Sequence, residues 1–245
     1  MPSRLDQLLV ERGLCDSREQ AKRLIIAGEV KVGGHFAAKP AVKVAEDAEI
    51  EIREKSPYVG RGGFKLAGAL DTFGVDPSGM TCFDAGASTG GFTDCLLQRG
   101  AAKVFAYDVG TNQLAWKIRN DPRVVARERF NIRHMKPEDV GEEIDLAVGD
   151  LSFISLTLVL PAVFSVMREG AEMVVLVKPQ FELGREEVGK GGIVREEALR
   201  EKAIQKVKEF VEKDLGKDWK DVVPSSISGT DGNQEYLAWI KNSRP

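Results

Sequence analysis

The chain has 245 residues, 42% of them hydrophobic and 30% charged, and a formal net charge of −3. That composition is ordinary for a soluble globular protein with one medium domain and a small one, and it excludes a globally basic nucleic-acid binder, so any RNA contact must be local. Three scattered cysteines (Cys15, Cys82, Cys95) and two lone histidines (His35, His134) form no ligand cluster, which argues against a metal site and for a reducing compartment.

The N-terminus, MPSRLDQLL, lacks the apolar core of a signal peptide, so a cytoplasmic protein is expected. RLDQLLVERG puts Leu5, Leu8 and Leu9 on one helical face that ends at Gly13. DSREQAKRLIIAGEVKV predicts a second helix, with Ser17 and Gln20 at capping-box spacing and Gly28 where a left-handed C-terminal glycine belongs. Alternating EVKV, a Gly33-Gly34 turn and alternating AEIEIR (Ala48 to Arg53) predict short strands. Residues 1–60 therefore read as a small α+β unit. Its ten basic residues, Arg4 to Lys55, balance ten acidic ones. Between Ser17 and Val44, however, Arg18, Lys22, Arg23, Lys31, Lys39 and Lys43 oppose only Glu19 and Glu29. A helix and adjoining strand would present them as a compact basic patch, although composition alone favours a solvated charged face.

Residues 61–245 follow a βα pattern, with apolar strands at Cys82–Ala85, Val104–Tyr107, Val124–Ala126, Ile144–Val148 and Met173–Val177. The spacing predicts a doubly wound, mainly parallel sheet of the α/β class. The first strand runs into FDAGASTGGF, a strand, a glycine turn and a helix start, as at the nucleotide crevice of an open α/β sheet. It is neither G-x-G-x-x-G nor a P-loop, since Gly91 is followed by Phe92 and Thr93. An acid before the glycine, Asp84, suits a ligand carrying an amine or sulfonium, and S-adenosylmethionine is the obvious one. Asp84, Gly86, Ala87, Ser88, Thr89, Gly90 and Gly91 are then its candidate cradle, against the plainer reading of a strand-to-helix turn. Asp108, ending the second strand in YDVGTNQL, is placed to hold ribose hydroxyls, or else to make an Asx turn toward Gly110. Asn131, in ERFNIR, is a candidate neighbour of the adenine.

The fourth strand ends in GDLSF, with Asp150 at the same rim and without the two prolines expected for exocyclic amine methylation. Cys82 lies inside a strand and Cys95 inside a helix, which disfavours a cysteine nucleophile attacking a pyrimidine ring. A hydroxyl is left as the methyl acceptor. The apolar run Leu156 to Met167, broken by Pro161 and Ser165, is too short to span a bilayer. The fifth strand ends in VLVKPQFE, and Lys178 there is an unusual strand-end ammonium that needs a partner. Lys65 in RGGFKL and Glu235 in NQEYLAW join it, so that Lys65, Asp150, Lys178 and Glu235 would meet at one rim. A charged helix from Arg195 to Asp214 leads to DVVPSSISG and EYLAWIKN, which could close the sheet as an antiparallel edge, although Pro224 weakens the first.

The ordered motifs RGGFKL, GASTGGFTDCLL, DVGTNQL, GDLSFISL, VKPQFE and GKGGIVR resemble those of the TlyA family, formerly called haemolysin A. SRLDQLLVERGLCDSREQAKRLIIAGEVKV is similar to the RNA-binding domain named after ribosomal protein S4. The resemblance covers nearly the whole chain. It implies an S4-like domain over 1–60 and, over 61–245, a Rossmann-like S-adenosylmethionine-dependent methyltransferase domain related to the FtsJ heat-shock methylases. It further implies 2′-O-methylation of cytidine in ribosomal RNA, with the short C-terminus similar to members restricted to the large subunit. By that resemblance Lys65, Asp150, Lys178 and Glu235 are a catalytic tetrad. Arg4, Arg18, Lys22, Arg23 and Lys31 would hold rRNA phosphates, and Gly189 to Gly192 would flank the RNA entrance. Lys178 is the candidate base, with Lys65 as the stabiliser of the developing alkoxide, and the two roles are interchangeable on sequence alone. The expected partner is rRNA or a ribosomal subunit, without membrane or metal. A non-catalytic assembly factor, the competing class, would be marked by loss of the tetrad.

Overall fold

The computed structural model describes every residue except Met1, Ala27, Ala38, 53–56, Thr230 and 244–245. The chain divides into two compact units, Met1–Pro57 and Tyr58–Pro245.

The first unit contains β1 (Ser3–Arg4), α1 (Leu5–Glu11), α2 (Arg18–Ile26), β2 (Val30–Val32), β3 (His35–Phe36), β4 (Lys43–Val44) and β5 (Ile50–Ile52). Antiparallel β3-β2-β5 form one small sheet, and β1 pairs with β4. Leu5, Leu8 and Leu9 are buried as their spacing requires, and Leu5 and Leu9 pack with Cys15, Ala21, Ile25 and Val30. Ser17 Oγ accepts the Gln20 N–H at 3.2 Å, while Gln20 Oε1 accepts from the Asp16 N–H at 2.9 Å, so the reciprocal arm of the cap lands one residue early. Gly28 has φ 69°, a left-handed value that a side chain would resist, and this ends α2 where expected. The expected strand AEIEIR is observed as Ile50–Ile52, and its last residue, Arg53, lies outside the described residues. The β1–β4 pair was not anticipated, because two-residue strands are too short for alternation to register.

In the second unit α3 (Gly62–Phe73) precedes β6 (Thr81–Ala85), α4 (Gly91–Gln98), β7 (Lys103–Tyr107), α5 (Trp116–Arg119) and β8 (Val124–Arg127). The chain continues through α6 (Pro137–Val140), β9 (Ile144–Gly149), α7 (Leu160–Phe164), β10 (Met167–Val177), α8 (Pro179–Glu182) and α9 (Glu197–Glu209). It closes with β11 (Asp218–Pro224) and β12 (Tyr236–Lys241). The sheet runs β11-β12-β10-β9-β6-β7-β8 among the described residues, parallel except for the antiparallel pairings of β12 with β10 and β11. β6 leads outward through β7 to β8, and the chain then returns to lay β9 on the other side of β6. That reversal opens a crevice at the carboxyl ends of β6 and β9, the usual ligand position in such sheets.

Alternation along each strand builds a core on both faces of the sheet. Phe83, Phe105, Tyr107 and Val175 point one way. Cys82, Val104, Leu146 and Val174 point the other, against Leu66 and Leu70 of α3 and Leu96 of α4. Pro224 is the last residue of β11, an edge strand, where its missing N–H breaks no ladder. The expected helix from Arg195 begins at Glu197, and its final turn, Phe210–Asp214, widens into a π-helix. No helix among the described residues is long and apolar enough to cross a membrane.

Candidate active site

The cradle begins where β6 ends at Ala85. Gly86 has φ 83°, and a Cβ there would stand 2.9 Å from the Asp150 carbonyl oxygen, so the turn can pass under the β9 loop only as glycine. The Gly86 and Ala87 N–H groups both donate to the Tyr107 carbonyl, at 2.9 and 3.2 Å, which fixes the loop against β7. Gly91, opening α4, would place a Cβ 3.1 Å from the Gly63 backbone nitrogen, and this explains why both helix starts are glycine-rich. Asp108 holds the cradle from the next strand: Oδ2 accepts from the Ser88 N–H at 2.8 Å and Oδ1 from the Gly110 N–H at 2.6 Å. The Asx turn is therefore present, and the same carboxylate also braces the glycine loop.

Asp84 behaves differently. Cys82 and Asp84 lie on the same face of β6, toward α4, so the Asp84 side chain turns away from the rim. It is fully buried and lines neither of the cavities at the crevice. Its Oδ2 accepts from the Thr93 hydroxyl at 2.6 Å, while Oδ1 has no hydrogen-bond partner among the described residues. Burial pushes this carboxyl up to about 7, the Thr93 hydrogen bond opposes the rise, and the negative charge of Asp150 adds to it.

The four charged rim residues meet in a cavity of about 230 Å³. Lys65, one turn into α3, donates to Glu235 Oε2 at 2.5 Å. Lys178, just after β10, forms an ion pair with Asp150 Oδ1 at 2.6 Å and lies 3.9 Å from Glu235 Oε1. Lys65, Lys178 and Glu235 are each less than a tenth exposed. Two cations and two anions thus alternate, Glu235 standing between the lysines, and this satisfies the condition for keeping ammonium groups at a nearly closed strand end.

A second cavity of about 430 Å³ adjoins the first; Gly86, Ser88, Asp150 and Ser152 line both. Asp108 and Asn131 line the second. Asn131 Oδ1 accepts from the Arg133 N–H at 3.1 Å and caps a short helical turn there. Sequence reasoning passed over Gln113, Arg133, Leu151 and Ser152, all part of these walls. It also passed over Phe153, which is 90% exposed with φ 63° and whose ring lies 5.2 Å from that of Phe181. A phenylalanine directly after GDLS, in the rim loop, was the available signal. The GKGG segment ends against the site: buried Asn233 donates to the Gly192 carbonyl and accepts from the Val194 N–H, both at 2.9 Å, two residues before Glu235.

The candidate phosphate-binding residues of the first unit are more committed than their local window implied. Arg4 and Arg18 both pair with buried Asp6, and Lys22 pairs with Glu19. The Arg4 hydrogen bond chiefly holds Asp6 down to about 2, with Arg18 adding to it against the cost of burial. Arg23 enters no ion pair among the described residues, and Lys31 lies 5.2 Å from the Phe36 ring centre.

A glycine cradle with a strand-end carboxylate beside it suits a nucleoside ligand. Comparison with known proteins agrees with that chemistry. Residues 58–242 match the FtsJ-like methyltransferase family, and residues 3–50 match the S4 domain. The chain is 48% identical over 241 residues to the 16S/23S rRNA (cytidine-2′-O)-methyltransferase TlyA of Mycobacterium tuberculosis, covering 98% of this chain and 90% of that protein. It is 37% identical over 190 residues to the 23S rRNA (cytidine-2′-O)-methyltransferase TlyA of Campylobacter jejuni, covering 76% and 72%. The solved structure titled "Putative hemolysin from Streptococcus thermophilus" superposes with a TM-score of 0.77 at 44% identity, covering 100% of this chain and 90% of that one.

Proposed function

Because this chain belongs to the TlyA family, with an S4 domain ahead of an FtsJ-like methyltransferase domain, we propose that it methylates the ribose 2′-hydroxyl of a cytidine in ribosomal RNA, using S-adenosylmethionine. The observation that carries the reading is the meeting of Lys65, Asp150, Lys178 and Glu235 in one cavity whose wall is shared with the glycine cradle. When bound, S-adenosylmethionine supplies a methyl group already activated by its sulfonium. The protein must therefore align the acceptor and remove a proton from a weakly acidic hydroxyl.

Gly86 and Gly90 let the backbone approach the ligand closely, Asp108 offers its remaining lone pairs to ribose hydroxyls, and Asn131 faces the base. Asp84 acts from behind the loop, as a buried carboxyl that a cation in the cradle would help to ionise. Lys178 accepts the proton from the 2′-hydroxyl. Asp150 fixes Lys178 at 2.6 Å, and Glu235 couples it to Lys65, which stabilises the developing alkoxide. Exposed Phe153, with half-buried Phe181 behind it and beside Lys178, offers an aromatic surface for an unstacked base. In the first unit, Arg23 and Lys31 hold phosphates, with Arg4, Arg18 and Lys22 adding to the local positive field; such contacts give affinity and register. Lys190, in GKGG, adds charge beside the RNA path. An rRNA substrate implies a cytoplasmic enzyme.

The test is to incubate the protein with methyl-labelled S-adenosylmethionine and ribosomal subunits lacking the modification. Label should enter rRNA with the wild type, and Lys178→Ala should abolish transfer while retaining cofactor affinity. Near-normal turnover by that variant would remove Lys178 as the base; no transfer by wild type that still binds cofactor would remove rRNA as the acceptor.

A further inference from the structure

Lys178 has a third polar neighbour that the charge pattern does not reveal: its Nζ donates to Ser152 Oγ at 2.8 Å. We infer that Ser152 is a positioning residue that aims Lys178 at the acceptor hydroxyl, an inference that rests on the methyltransferase reading above.

The argument starts from the valence of the amine. Beyond Cε, a tetrahedral nitrogen has three directions to fill. Asp150 Oδ1 takes one at 2.6 Å and Ser152 Oγ a second at 2.8 Å, while Glu235 Oε1, at 3.9 Å, is beyond hydrogen-bond reach. The third direction is left for a group in the cavity that Lys178 lines. Once the ammonium has released one proton to solvent, two N–H bonds of the resulting amine occupy the first two directions and the lone pair takes the third. An O–H bond of the acceptor can then break as the new N–H bond forms. With Asp150 alone, the second N–H and the lone pair could exchange places, and an N–H would then face the acceptor instead. A neutral hydroxyl suits this second anchor better than another carboxylate, because it fixes direction without adding negative charge beside the base.

The backbone supports a placed hydroxyl rather than an incidental one. Ser152 lines both cavities, as does Asp150, so it stands at their junction. The next residue, Phe153, adopts φ 63°, a left-handed conformation that is costly for a bulky side chain and is kept only where the surroundings enforce it. That turn separates Ser152, directed to Lys178, from Phe153, directed to solvent. Farther along the same loop, buried Glu182 accepts from Ser155 Oγ at 2.5 Å and from the Leu156 N–H at 2.8 Å. Glu182 ends the α8 turn that begins beside Lys178, so the serine loop and the lysine turn are fastened at two points.

The experiment measures single-turnover methyl transfer to unmodified ribosomal subunits, S-adenosylmethionine affinity and melting temperature for wild type, Ser152→Ala and Ser152→Thr. Ser152→Ala should lower the transfer rate by about tenfold, the upper end of the scale for one lost neutral hydrogen bond, with cofactor and rRNA affinity within about twofold of wild type and melting unchanged. Ser152→Thr, which keeps the hydroxyl, should recover most of the rate. Wild-type rates in Ser152→Ala would overturn the inference, as would a loss traced to cofactor affinity or melting, or a threonine variant no better than alanine. An inactive wild type would instead count against the methyltransferase reading itself.

Discussion

Glu235 lies 2.5 Å from Lys65 and 3.9 Å from Lys178, so its removal would leave two ammonium groups facing one another in a confined cavity. Asp150, Lys178 and Glu235 were legible in the sequence because charged residues at the ends of apolar strands need partners and the sheet brings those ends to one rim, and Lys65, in α3, was legible from RGGFKL just ahead of the sheet. Ser152 was not legible: a rim serine is commonplace, and only its distance to Lys178 distinguishes it. Asp84 was visible as an acid before a glycine, but strand alternation turns it toward α4 and beneath the cradle. Its carboxyl, pushed by burial up to about 7, has a thermodynamic consequence. An unfolded chain ionises this group near the ordinary value of 3.8, whereas the fold keeps it protonated until about 7. Stability is therefore lost as pH rises from about 4 and levels off above about 7. Glu182, also raised by burial, adds in the same direction. Urea unfolding without ligand should show wild type more stable at pH 5 than at pH 7.5 by up to about 3 kcal/mol. Asp84→Asn should flatten that difference, and an unchanged difference in the variant would contradict the assignment.

At the scale of elements, α8 is a single turn, and its position depends on what its last residue grips. Glu182 anchors Ser155 and Leu156, with Lys206 of α9 3.9 Å from its carboxylate. Glu182→Ala should strand the Leu156 N–H, cost roughly 1–3 kcal/mol in stability and slow methyl transfer, while leaving cofactor affinity near wild type. Glu182→Gln, which can still accept from that N–H, should restore most of both. Melting curves and single-turnover rates check this, and an alanine variant with unaltered rate would show that the clamp does not set the site. The five parallel strands and the antiparallel edge could be read from apolar runs. The long α9 could be read too, but not the π-turn that ends it, because no residue type there differs from an ordinary helix. The ion pair between α1 and α2 was missed for a geometric reason: Asp6 lies outside the Ser17–Val44 window, and only folding brings it to Arg18.

Over the whole molecule, a net charge of −3 means that RNA affinity must come from a few local cations. Arg4 and Arg18 share Asp6 and Lys22 is paired with Glu19, so Arg23 is the most available cation of α2. Arg23→Ala should weaken rRNA binding and reduce the salt slope by about one, with stability unchanged. Arg18→Ala should mainly cost stability, by about 1 kcal/mol at most, since Arg18 is half exposed and Asp6 keeps Arg4. Equal losses of affinity in filter-binding titrations across salt would contradict that ranking. The central claim, that this chain methylates a ribose hydroxyl, is tested most directly by the position of the transferred methyl group. Labelled rRNA from unmodified subunits would be digested to nucleosides and identified by mass. Label in 2′-O-methylcytidine, resistant to alkaline cleavage on its 3′ side, is the result expected; label on a base, or on protein, would contradict it.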